Sequence, residues 1–180
     1  MPSKYDNING FFNFEQVYAE QVRAAPQDGA HFLEIGCYLG RSTVFLAECI
    51  KESGKNIVLH VIDTFEGEGN SELHGNFENI FRRNLRLAEV EHIVQVHPGT
   101  SDALVSEFPD GFFDFVYVDG MHTYEAVTND IHNYLPKVKP GKTLAGHDYQ
   151  YEPVSSAVND SLGKENLTFH QNTWIFQKKQ

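Results

Sequence analysis

With 180 residues, a formal net charge of −11 and two cysteines, the chain is long enough to bury roughly two-thirds of its unfolded surface in one domain without a disulfide or metal staple. The acidic balance and the lack of any Lys/Arg block exclude a phosphate-tracking nucleic-acid surface, and two cysteines in or beside apolar runs fit free thiols in a reducing compartment. The first thirty residues lack a cationic start followed by an apolar core, and no apolar run approaches the roughly 18 to 20 residues that span a bilayer, so a cytoplasmic protein without a membrane partner is expected.

Phe14, Val17, Tyr18, Val22 and Ala25 recur at intervals of three and four, which predicts an amphipathic helix over 13–25, ended by Pro26 and Gly29. Near-continuous apolar runs at 31–35, 57–62, 93–97, 113–118 and 142–146 predict strands buried on both faces. Between them, helical periodicity covers 42–52, 76–89, 101–107 and 123–138, the last with Tyr124, Val127, Ile131 and Leu135 on one face. A helix at 153–162 and strands at 166–170 and 173–178, joined by a short turn, close the chain as an antiparallel hairpin. Alternating strands and helices imply right-handed parallel crossovers. The expected fold is therefore α/β: a doubly wound, mostly parallel seven-stranded sheet with a C-terminal hairpin. One domain is expected over 1–180, with an N-terminal helical segment (1–29), a ligand-binding core (30–150) and a C-terminal helix and hairpin (151–180). The irregular stretch 66–75 is a candidate lid, because its polar, glycine-rich composition supplies no core.

Ligands of open parallel sheets bind outside the carboxyl ends of the strands. The residues leaving the five strands are Glu34 to Gly40, Asp63 with Thr64, "HPGTSD", "VDGMH" and "GHDY". The first of these turns reads E-x-G-x-x-x-G and not the G-x-G-x-x-G that cradles a pyrophosphate. Glu34 suits a cationic ligand end and Asp63 a pair of ribose hydroxyls. S-adenosylmethionine has an ammonium group, a ribose and no phosphate. The bland alternative is a tight glycine turn with Ser42 capping the next helix.

In their order and spacing, "FLEIGCYLGRSTVFLAE", "VIDTFEG", "GTSDAL", "FVYVDGMHTYEAVTNDIHNYLPKVKPG" and "TLAGHDY" resemble the class I S-adenosylmethionine-dependent methyltransferases. Within them they resemble a group of small-molecule O-methyltransferases that includes macrolide-sugar methyltransferases. The resemblance covers residues 30–150 and implies a Rossmann-like sheet. It implies that Glu34, Gly36 and Gly40 hold the methionine part, Asp63 the ribose and Ser101 the adenine edge; Tyr38, Ser42 and Thr64 are further candidates for cofactor binding.

His122 follows Asp119 by three residues and is the candidate general base of an O-methyl transfer, with activity rising through roughly pH 6.5 to 7.5 as the imidazole deprotonates. Asp119 and Asp148, with His147 beside the latter, form a candidate site for Mg²⁺, Mn²⁺ or Ca²⁺ that lowers the pKa of an acceptor hydroxyl. The bland readings are a packed His122, a capping Asp148 and a packed His147. Tyr149 and Tyr151 line an acceptor pocket or belong to the core. His74 reads as a solvated loop residue, while His31, His60, His92, His97, His132 and His170 lie away from the rim and carry no role. The expected partner is a small-molecule acceptor, with a homo-oligomer as a further expectation. A small dehydrogenase and a non-catalytic S-adenosylmethionine-binding protein remain the alternatives.

Overall fold

The computed structural model describes residues 4–67 and 77–180. Five parallel strands, β1 (Asp28–Ile35), β2 (Asn56–Asp63), β3 (Val94–Pro98), β4 (Phe113–Val118) and β5 (Val138–Gly146), are joined by an antiparallel hairpin of β6 (Leu167–His170) and β7 (Thr173–Gln177). The sheet order is β3-β2-β1-β4-β5-β7-β6, so the chain reverses direction across the sheet between β1 and β4. That switch opens a crevice at the carboxyl ends of these two strands. β4, "FDFVYV", is buried at every position because helices cover both faces of a central strand.

Helices α1 (Glu15–Ala24), α2 (Arg41–Ser53) and α3 (Phe77–Ala88) enclose one core around Tyr18, Leu46, Phe81 and Phe115. On the other face α5 (Tyr124–Tyr134) and α6 (Glu152–Leu162) pack over Val116, Ile131, Tyr134 and Val158. The short α4 (Ser101–Leu104) and α5 start at threonines whose hydroxyls accept from the amide three residues on: Thr100 from Ala103 and Thr123 from Ala126. Ser42 does not cap α2; it is a buried residue inside the helix, which follows the left-handed Gly40 without a side-chain cap.

The helix expected over 123–138 stops at Tyr134, because Pro136 has no N–H to continue the ladder, and β5 already begins at Val138. The predicted helix 101–107 is α4 followed by a 3₁₀ turn, Val105–Glu107. A 3₁₀ turn at Lys4–Asn7 precedes an apolar segment that docks through Phe12 and Phe14, and no periodicity announced it. Of the expected lid only Glu66 and Gly67 are described; the remainder, His74 included, lies outside the described residues. Cys37 and Cys49 are free thiols. Among the described residues, no helix is long and apolar enough to cross a membrane.

Candidate active site

The glycine turn is locked between its two neighbouring strands. Gly36 N–H donates to Ile62 O (2.9 Å), and Asp119 N–H donates to Ile35 O (2.8 Å). Gly36 has φ +83°, and a Cβ there would lie 2.1 Å from Asp119 O, so glycine is required by the backbone of the β4 exit. Gly40 has φ +89°, and its Cβ would meet the buried Phe81 ring at 2.8 Å. Asp63 ties the turn to β2: its Oδ2 accepts from Cys37 N–H (2.8 Å) and Tyr38 N–H (2.9 Å), and its Oδ1 from Phe65 N–H (2.7 Å). The carboxylate expected to meet a ribose therefore also organises the turn. Thr64 Oγ1 accepts from Glu66 N–H (3.4 Å) in the same exit.

Glu34 stands beneath the rim instead of on it. It is fully buried, with Tyr18 Oη donating to Oε1 (2.9 Å) and Thr43 Oγ1 to Oε2. Burial raises its pKa to about 7 against the hydrogen bonds of Ser42, Thr43 and Tyr18. Besides the cationic ligand end expected from the sequence, the carboxyl therefore has three hydroxyls of α1 and α2 as partners, which support the turn from below.

The exits of β4 and β5 bring two carboxylates and two imidazoles together. His122 Nε2 donates to Asp148 Oδ2 (2.8 Å) and lies 3.9 Å from Asp119 Oδ1. The ligand atoms of Asp119, His122 and Asp148 fall within 4.8 Å of one another. His122 completes this compact set, and His147 Nδ1 lies 3.8 Å from Asp119 Oδ1 beside it. The His147 ring is buried against Phe14 and beside Phe11; its Nε2 lies 2.9 Å from Asn13 Oδ1, and its Nδ1 lies 3.2 Å from Asp148 Oδ1. The Asp119 and Asp148 carboxylates raise the His122 pKa to about 10 against partial burial. Burial raises that of Asp119, whereas for Asp148 burial is outweighed by His122 and His147, which push it well below the usual carboxylate range. Against the titration at 6.5 to 7.5 expected from the sequence, the two flanking acids make the ring hold its proton more tightly.

Three non-glycine residues of the rim have left-handed backbones: Tyr38 (φ +48°), Phe65 (φ +55°) and Asp148 (φ +60°). Such conformations cluster where surrounding structure over-determines a site. Outside the carboxylates, Phe11, Met121 and Tyr151 are exposed, Tyr151 with its ring 6.1 Å from that of His122. A groove of about 440 Å³ leads away from His122 between Thr123, Tyr124, Glu125, Glu152 and Ser156. Tyr149 packs its ring at a tilt against Phe169 instead, donating to Asn159 Oδ1 (2.8 Å).

In the loop after β3, Ser101 Oγ, the hydroxyl assigned to an adenine edge, donates to the buried Asp130 of α5. Asp130 and Asn13 were not singled out in the sequence. Asp130 had a signal, a carboxylate within the apolar stripe Val127–Ile131–Tyr134; Asn13 had none.

Residues 33–149 match a family model described as a methyltransferase domain. A 4′-O-methyltransferase of Streptomyces olivaceus acting on a rhamnosylated tetracenomycin is 24% identical over 184 residues, covering 92% of this chain and 67% of its own. A Sinorhizobium fredii protein, y4gI, is 21% identical over 142 residues, which are 72% of this chain but 15% of that much longer one. The O-methyltransferase NovP superposes with a TM-score of 0.65 at 20% identity, over 92% of this chain and 79% of its own. TomG of Streptomyces achromogenes, solved with S-adenosylmethionine, does so with 0.66 at 16% identity, over 96% and 82%. The chain belongs to the methyltransferase-domain family, and its sheet is the fold of the S-adenosylmethionine-dependent O-methyltransferases.

Proposed function

We propose that the chain transfers a methyl group from S-adenosylmethionine to a hydroxyl of a small-molecule acceptor, assisted by a divalent cation. The observation that carries this reading is the Asp119–His122–Asp148 group, standing beside the Gly36–Gly40 turn at the topological switch of a methyltransferase-family sheet. The turn and Tyr38 would take the methionine part, Asp63 and Thr64 the ribose, and the loop at Ser101 the adenine. Met121, Tyr151 and the groove beyond His122 would take the acceptor. The S. olivaceus relative and SAM-bound TomG support a donor and an acceptor of these classes.

S-adenosylmethionine supplies an electrophilic methyl, so the residues of this chain have to align a hydroxyl behind it and receive its proton. Asp119, His122 and Asp148 interact too strongly to titrate separately; with the ring holding its proton, the hydroxyl proton would pass to a carboxylate of the group. Two carboxylates, and the imidazole once it has released its proton, also fit a divalent cation by donor chemistry. Bound there, the cation would balance the carboxylate charge and acidify an oxygen coordinated to it. His147, held by Asn13, keeps Asp148 oriented from the buried side.

Calorimetry with S-adenosylhomocysteine tests the cofactor reading: micromolar binding is expected, and none at millimolar ligand would overturn it. Release of S-adenosylhomocysteine with a panel of glycosylated and phenolic acceptors tests the reaction. Turnover should vanish on chelation and return with Mn²⁺ or Mg²⁺; full turnover of metal-stripped protein in excess chelator removes the cation and leaves the transferase.

A further inference from the structure

Asp130 is a carboxylate in the middle of α5, 4% exposed, with no part in the group at the β4 and β5 exits. A buried carboxylate is retained only when its hydrogen bonds are made. Its Oδ1 accepts from Ser101 Oγ. Its Oδ2 lies beneath the β4 exit, where a Cβ placed on Gly120 would come within 3.6 Å of it. One side chain thus bonds the loop after β3 and lies close to the residue next to Asp119. Burial raises its pKa to about 6 against the Ser101 hydrogen bond, with Asp102 raising it further.

Two more residues on the same face of α5 grip the same loop. Tyr134 Oη donates to Ser101 O (2.8 Å), and Asn133 Nδ2 donates to Asp102 Oδ1 (2.7 Å). Residues 130, 133 and 134 are neighbours on a helix face, so the three ties act from one rigid edge. From the other side the loop is held by Gly99 N–H donating to Asp63 O (2.9 Å). The loop is therefore held between the main chain of Asp63 and α5, and α5 itself starts two residues beyond His122.

We propose that Asp130 is a positioning residue for the cofactor's base: acting through Ser101, it sets the loop after β3 against the β4 exit and so governs the affinity for adenosine-bearing ligands. This rests on the S-adenosylmethionine reading above. Because Ser101 gives its hydroxyl to Asp130, the loop presents its main chain to the base, and main-chain position is what Asp130 controls.

The test is calorimetry with S-adenosylhomocysteine and 5′-methylthioadenosine on the wild type, Asp130→Asn, Ser101→Ala and the double variant, with urea unfolding alongside. Asp130→Asn should weaken both ligands by the same factor, about tenfold, since both carry the base and only one carries the amino acid. Losses of the two single variants should not add: the double variant should be about tenfold weaker, not about a hundredfold, because one residue acts through the other. Tyr134→Phe, which removes a single hydroxyl from the same loop, should weaken both ligands about threefold and keeps the test decisive if Asp130→Asn does not fold. Wild-type binding with Asp130→Asn within twofold of it, a loss confined to S-adenosylhomocysteine, or fully additive losses would each overturn the proposal while the cofactor reading stands. Absence of binding by the folded wild type overturns both.

Discussion

Replacing Gly36 with alanine isolates what holds the crevice together. The Cβ would sit 2.1 Å from Asp119 O, 2.5 Å from Asp119 C and 2.9 Å from Gly120 Cα, all main-chain atoms. A flexible side chain would yield to such a clash, but here the β1 and β4 exits must part by more than about 1 Å to reach ordinary contact, against the Asp119 N–H to Ile35 O bond of 2.8 Å. The left-handed φ of +83° adds about 1 to 2 kcal/mol for any L-residue, overpacking about 1 to 3, and loss of the strand hydrogen bond about 1, for a sum of about 3 to 6 kcal/mol. Gly29, on β1 itself, is the control: its φ is +76°, yet nothing lies within 4 Å of its Cβ position. Gly29→Ala should carry only the backbone term, about 1 to 2 kcal/mol. In urea unfolding the two variants should differ by about 2 to 4 kcal/mol, or in thermal melts by roughly 5 to 15 °C for a chain of this size. If Gly36→Ala is within about 1 kcal/mol of Gly29→Ala, the close approach of Gly36 and Asp119 is not what the turn requires.

Asp63→Ala removes the acceptor of three main-chain amides, so it should lower folding stability by about 2 to 4 kcal/mol and weaken S-adenosylhomocysteine at least tenfold; unchanged stability by chemical denaturation would show that the glycine turn holds itself. His60 lies between two other imidazoles, its Nε2 3.1 Å from His31 Nδ1 and its Nδ1 3.1 Å from His97 Nε2. Burial, then His97 and His31, lower its pKa to about 4. The folded value lies below the unfolded one, so this contribution is present above about pH 6.5 and is lost as pH falls toward 4, up to about 3 kcal/mol. The stability gap between wild type and His60→Gln should shrink by that amount between pH 7 and pH 4, and a gap independent of pH would refute the neutral, buried ring.

Much of the architecture is written locally. A run such as "FDFVYV" has to be covered on both faces, and helical periods between such runs leave parallel crossovers as the only short connections, so the sheet, its hairpin and the rim that gathers Asp63, Asp119 and Asp148 followed from the order of residues alone. Roles within that rim did not. Which partner a carboxylate finds depends on groups far away in the chain: Glu34 is taken by Tyr18 and Thr43, Asp63 by the amides of Cys37 and Tyr38, His147 by Asn13 across 134 positions, and Ser101 by Asp130. The charge of His122 was equally out of reach, because a histidine three residues after an aspartate reads as near-neutral until β5 sets Asp148 2.8 Å from its ring. Periodicity is a property of consecutive residues and survives in one dimension; hydrogen-bond partners and proton affinities depend on distances of a few ångströms between separate strands, and only the folded sheet sets those.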